Sequence, residues 1–362
     1  MEHPNLLRTA RRLATVRFDE AYAWISPNSL LVLRPETRRG CLWLPLPLPL
    51  SLLRAQHLMH SASSVSLSTG QETPLMAFNR QHAHELLADI MTVRFPTDTG
   101  KMHTEVAHRP PHTTLSPDGC WLLWQRRSGG WRAATLDGAE TIDWPPAQDV
   151  ARGRCNSMPG LWLPDSHRWL ESVQSYADRR YTIPTLLLRH RLDPGYRQAI
   201  TVANFDDGIP VGTTNHPAFL MHHPSALAER MDNGNPQSQP GDEWFSEVDL
   251  TGNSATARRF VIALPTEGTA SDVHVSPDGT RLVWLIEAPW TAGERTYSIW
   301  TSDLEGNDFA NIGWADSRTE PRKQKADEKR CYFPRDVQWS PNGQHISFIY
   351  GDDLYTVSAT TA

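Results

Sequence analysis

One short corner recurs along this chain, and it restricts the fold more than any other feature. It reads Leu115-Ser116-Pro117-Asp118-Gly119, then Val275-Ser276-Pro277-Asp278-Gly279, then Trp339-Ser340-Pro341-Asn342-Gly343. Proline presets the first turn position, Asp or Asn tolerates the next, and glycine supplies the positive φ that closes the turn. Six and eight residues after each serine stand apolar pairs: Leu122 and Trp124, Leu282 and Trp284, Ile346 and Phe348. A two-residue step puts both side chains on one face of a strand. Each unit therefore reads as strand, tight turn and half-buried strand. Fainter copies stand at Ser26-Pro27-Asn28, Pro164-Asp165-Ser166 and His223-Pro224-Ser225.

A second signature follows downstream, in Ala133-Ala134-Thr135-Leu136-Asp137-Gly138 and in Ser298-Ile299-Trp300-Thr301-Ser302-Asp303-Leu304-Glu305-Gly306. Residues 247–252 and 65–70 repeat it. Each alternates and ends in a hairpin-type turn at glycine. Two hairpins make a four-stranded antiparallel unit, and a chain of such units is an all-β propeller. Turn prolines at 27, 117, 164, 224, 277 and 341 give six blades, provided that the 90-residue first interval carries an insertion. Seven blades would require two in that interval, which has no second Ser-Pro corner. The 21 residues after Pro341 hold about three strands at mean strand length. Residues 13–18 alternate and are expected to supply the missing strand of the last blade, which removes an open edge. The chain, 1–362, is thus read as one propeller domain with an insertion over 72–110.

The pairing of Ser-Pro-Asp-Gly with a later Ile-Trp-x-x-Asp-Leu-x-Gly resembles the TolB-type β-propeller repeat. The resemblance is carried by residues 116–138, 276–306 and 340–358. Similar corners occur in the propellers of prolyl-oligopeptidase-type enzymes and in oligogalacturonate lyases. The resemblance implies a rigid WD40-like scaffold for protein–protein interaction, and specifies a blade rather than an activity. No Gly-x-Ser-x-Gly elbow is present, so the hydrolase half of a prolyl-oligopeptidase-type enzyme is missing. Walker A and dinucleotide fingerprints are missing as well. Oligogalacturonate lyases carry a metal-binding histidine group and a His-x-His just before a Ser-Pro turn. The residues before the corners here are His112-Thr113-Thr114, Asp272-Val273-His274 and Arg335-Asp336-Val337, which do not reproduce it.

Several segments break the repeat. In Trp43-Leu44-Pro45-Leu46-Pro47-Leu48-Pro49-Leu50 the prolines remove amide donors from one side, as in an outermost strand that pairs on one edge only. Residues 79–92 read as a short helix capped by Asn79, with Leu86, Leu87 and Ile90 on its apolar side. His57, His60, His82, His84, His103, His108 and His112 enrich the region around it, in a pattern that matches no metal motif. Residues 231–241 and the charged stretch 316–330 read as long loops. Glu171 stands where other blades place an aromatic. Either it is a channel-facing acid with a raised pKa, or the register is shifted and Trp169 takes the aromatic place.

Composition narrows the function classes. Lys and Arg number 35 against 41 Asp and Glu, a net charge of −6, whereas a nucleic-acid binder needs a basic surface. The longest apolar run, 41–53, is too short and too rich in proline to span a membrane. The N-terminal residues contain no apolar signal region, and Cys41, Cys120, Cys155 and Cys331 are too dispersed for a zinc or disulfide framework. A cytoplasmic protein is expected. Counting four residues back from the corner serines gives His112, Asp272 and Asp336, with Arg335 adjacent. These side chains are expected to converge at one mouth of the central channel, the default place for a ligand. The favoured function is a non-enzymatic platform binding a protein or small molecule through its loops and this mouth, with no cofactor or metal. The rival is a carbohydrate-active lyase or hydrolase with its site at the channel.

Overall fold

A computed structural model describes residues 5–16, 20–36, 59–86, 89–96, 102–109, 113–126, 130–145, 160–173, 176–177, 180–181, 185–200, 209–214, 218–223, 241–249, 257–289, 296–316, 318–322 and 325–360. The fold is a six-bladed β-propeller of four-stranded antiparallel sheets. Contacts divide the chain into two compact units, residues 16–145 and residues 1–15 with 146–362.

The unit 16–145 holds blades 1 and 2. Blade 1 is Ala21–Ser26, Ser29–Glu36, Met59–Ser66 and Glu72–Pro74. Blade 2 is Thr113–Leu115, Trp121–Gln125, Trp131–Thr135 and Thr141–Trp144. Between them lie a helix, Met76–His82, and a two-stranded hairpin, Asp89–Pro96 with Met102–Arg109. Neither makes a blade, so the long first interval holds an insertion and the seven-blade alternative fails. Leu31, Leu33, Ala62, Phe78, Leu86, Leu122 and Trp124 form this unit's core.

The helix expected over 79–92 is displaced. It runs Met76–His82, and residues 89–92 lie in a strand. Asn79 is not its cap. The Asn79 side chain instead donates through Nδ2 to the Ala62 carbonyl at 2.8 Å and accepts the Ala62 amide at Oδ1, 2.7 Å. A primary amide has the donor and acceptor of a peptide group, so Asn79 pairs with Met59–Ser66 as a fragment of strand would. The apolar side attributed to the helix is divided: Leu86 is buried in the core beyond the helix end, while Ile90 stands in the hairpin.

The larger unit holds blades 3 to 6. Blade 3 is Leu161–Trp162, Arg168–Val173, Thr185–His190 and Arg197–Ile200. Blade 4 is Ile209–Thr213, Ala218–His223, Asp242–Asp249 and Ala257–Ala263. Blade 5 is Thr269–Val275, Arg281–Glu287, Thr296–Asp303 and Ala310–Asp316. Blade 6 is Arg335–Trp339, His345–Tyr350, Asp353–Ser358 and, from the other end of the chain, Arg11–Thr15. That last strand pairs antiparallel with Asp353–Ser358, Arg11 facing Thr356 and Thr15 facing Asp353. It occupies 11–15 rather than 13–18. Just before it, Leu6 is fully buried among Ile312, Val337, Ile346 and Phe348.

Two further sequence readings are corrected in this unit. In blade 4 the first two strands are Ile209–Thr213 and Ala218–His223, so Pro224 comes after the second strand rather than between the two, and it lies outside the described residues. The charged stretch read as a loop is paired backbone, Arg318–Arg322 with Lys325–Tyr332. Ladder hydrogen bonds do not depend on apolar side chains, so a ribbon of charged residues gives no alternation to detect. Glu171 is 2 % exposed and accepts from Arg189 Nε at 2.9 Å on the adjacent strand, while Trp169 is fully buried. It is an internally paired acid. The proline-alternating segment 43–50 and residues 231–240 lie outside the described residues.

The corners show why serine belongs to the repeat. Ser276 Oγ donates to Asp278 Oδ1 at 2.6 Å and accepts the Arg281 amide at 2.9 Å. Ser340 Oγ makes the same pair with Asn342 and the His345 amide, at 2.7 and 2.9 Å. Ser116 Oγ does so with Asp118 and the Trp121 amide. All three serines are buried. Each corner thus satisfies the hydroxyl and the strand-starting amide internally, as burial requires.

Candidate functional site

The innermost strands of blades 5 and 6 place the polar residues predicted from the repeat. Alternation along Thr269–Val275 buries Val273 in the core and turns Asp272 and His274 to the opposite face. A register shift between Ala270 and Asp272 re-aims this end of the strand. Blade 6 has a matching irregularity between Arg335 and Gln338, and within it Asp336 adopts φ +52°. A left-handed conformation at a residue other than glycine stores strain and is concentrated at functional positions.

The two strands are joined through one carboxylate. Asp272 Oδ1 lies 2.8 Å from His274 Nε2, and Asp272 Oδ2 accepts the Val337 amide at 3.2 Å. Trp339 Nε1 donates back to the His274 carbonyl at 3.1 Å. Arg335 pairs with Asp336, Nη1 to Oδ2 at 2.5 Å. The structure therefore brings Asp272, Arg335 and Asp336 together on the adjoining innermost strands of blades 5 and 6. His112 lies outside the described residues. Counting four residues back from the corner serine passes over His274. The available signal was its parity, two residues from Asp272 and on the same face.

Electrostatics follow from these contacts. Burial acts to raise the Asp272 carboxyl, but the His274 charge and hydrogen bond, with the Val337 and Val273 amides, outweigh it and hold it below the usual aspartate range. Burial acts to lower His274, but the charge and hydrogen bond of Asp272, with the charge of Asp336, outweigh it and raise the imidazole. Solvent still reaches 41 % of the His274 side chain.

The preceding blade boundary carries the same construction in buried form. Glu243 Oε2 lies 2.8 Å from His222 Nε2, and Glu243 Oε1 accepts the Ala270 amide at 2.9 Å. Glu243 belongs to blade 4 and Ala270 to blade 5. His222 stacks on Phe245 at 5.1 Å, and both partners are nearly inaccessible. Successive boundaries are thus each bridged by a carboxylate that holds a histidine with one oxygen and the next blade's backbone with the other.

Among the described residues, no three His, Cys, Asp or Glu side chains converge as metal ligands, and no helix is long and apolar enough to cross a membrane.

No protein-family profile and no curated protein matches this chain. Solved structures resemble it in fold. One is an oligogalacturonate lyase in complex with manganese, 11 % identical over 99 % of this chain and 95 % of that one, with a TM-score of 0.47. Another is an oligogalacturonate lyase from Vibrio parahaemolyticus, 9 % identical over 99 % of this chain and 90 % of that one, with a TM-score of 0.48.

Proposed function

We propose that this chain is a non-enzymatic, TolB-like binding platform of the cytoplasm, whose ligand or partner docks on the polar residues of the innermost strands of blades 5 and 6. What carries the reading is the Asp272–His274 pair beside the Arg335–Asp336 pair, with strained backbone at Asp336. Rigid strands hold these groups, which suits recognition by preorganised hydrogen bonds. A thermal-shift screen of small polar molecules, oligosaccharides and peptides tests it. A true ligand raises the unfolding temperature of the wild type, is recovered unchanged, and gives no shift with Arg335→Ala. Equal stabilisation of the variant by every ligand found would overturn the reading.

One observation favours a second reading, a carbohydrate-active lyase or hydrolase. A histidine 2.8 Å from a carboxylate is an arrangement that serves proton transfer. Mass spectrometry of the same mixtures separates the two, since an enzyme would return cleaved oligosaccharide.

A further inference from the structure

The binding reading leaves open which group meets the ligand and what charge that ligand bears. The carboxylate of Asp272 is committed on both sides, Oδ1 to His274 and Oδ2 to the Val337 amide. Each of its oxygens already has a protein group on it. His274 uses only Nε2; among the described residues its other ring nitrogen has no partner, and solvent reaches the side chain. The buried copy of the construction serves as an internal comparison. His222 is held by Glu243 in the same way, but it is packed against Phe245 and out of reach of any ligand. Bridging two blades therefore does not require an accessible histidine, and the exposure of His274 is a separate property of this boundary.

Charge limits the ligand. Asp272 is matched by His274, and Asp336 by Arg335. These four groups sum to no excess charge when the imidazole is protonated. An anion entering here meets two carboxylates, and a cation meets a guanidinium and an imidazolium. An uncharged molecule with neighbouring hydroxyls meets neither penalty, since a hydroxyl both donates and accepts.

Resting on the binding reading, we infer that His274 is the ligand-contacting residue of the site, that Asp272 is its positioning residue, and that the ligand is an uncharged polyhydroxyl compound held through the open ring nitrogen. Sugars of one ring type and three charges test this: glucose, glucuronate and glucosamine, titrated into histidine-labelled protein and followed by NMR. Glucose is expected to move the His274 ring signals and to leave those of His222 in place. His274→Gln is expected to weaken glucose binding about tenfold, the loss of one hydrogen bond of about 1.4 kcal/mol. Asp272→Asn is expected to lower the His274 titration midpoint and to weaken binding less than His274→Gln does, which a purely structural role for Asp272 would not produce. If glucuronate or glucosamine moves the His274 signals and glucose does not, the uncharged ligand is overturned and the site stands. If glucose binds His274→Gln as it binds the wild type, the assignment of His274 is overturned. If no sugar moves any signal while the thermal screen returns a ligand dependent on Arg335, this inference falls and the binding reading survives. If neither experiment finds binding, both fall.

Discussion

At the scale of single residues, the repeated corner joins chain geometry to packing. The corner glycines have nearly the same backbone, φ +71° at Gly119 and +67° at Gly343, but different surroundings. A Cβ on Gly119 would come 2.3 Å from the Ile25 carbonyl oxygen, while one on Gly343 would meet nothing within 4 Å. Gly343→Ala is therefore expected to cost about 1–2 kcal/mol, the strain of a left-handed alanine. Gly119→Ala adds a collision with backbone and should cost more, as urea titration of the two variants will measure. Equal losses would mean that Ile25 moves aside freely. Three corners were legible from the sequence because proline, Asp or Asn, and glycine each dictate local dihedrals. The apparent corner at Pro224 misled because proline also follows strands, and only the pairing of Ile209–Thr213 with Ala218–His223 moves the turn upstream.

At the scale of elements, blade 3 shows how a missing aromatic is compensated. Glu171 and Arg189 form a diagonal ion pair across neighbouring strands, almost wholly buried. Removing one partner leaves an uncompensated buried charge, so Glu171→Ala is expected to cost about 3–5 kcal/mol. Replacing both, with Glu171→Leu and Arg189→Met, should recover most of that loss. A denaturation series over the two variants checks this, and a double replacement as damaging as the single one would contradict it. The helix Met76–His82 teaches a different lesson. Its helical nature was foreseen, but its bounds were not, because Asn79 can serve as a cap or as a strand-like pairing group. The choice between them depended on Met59–Ser66 being alongside.

At the scale of the whole molecule, pH dependence should reveal the buried histidine of the 16–145 unit. His82 is fully buried beside Phe78 and Trp124. Burial first, and the nearby Arg132 charge second, hold its pKa below the usual histidine value. The unfolded chain therefore takes up a proton more readily than the folded one does. Stability should fall as pH drops below about 6.5, where the unfolded histidine titrates. His82→Gln should lack this component, and thermal unfolding from pH 8 to pH 5 compares the two chains. Parallel curves would show that other groups govern acid sensitivity.

The sequence by itself determined the blade, because turn dihedrals and a two-residue apolar step are local properties that need no partner. It also located Asp272, Arg335 and Asp336, whose distance from the corner is counted along the chain. The tertiary structure alone decided what those residues touch. Whether an oxygen of Asp272 faces a ligand or the Val337 amide depends on a neighbouring blade more than sixty residues away. The same holds for His274 and His222, alike in chemistry and opposite in access. Burial is set by what packs against a residue, and this is not written in the residue's own neighbourhood along the chain.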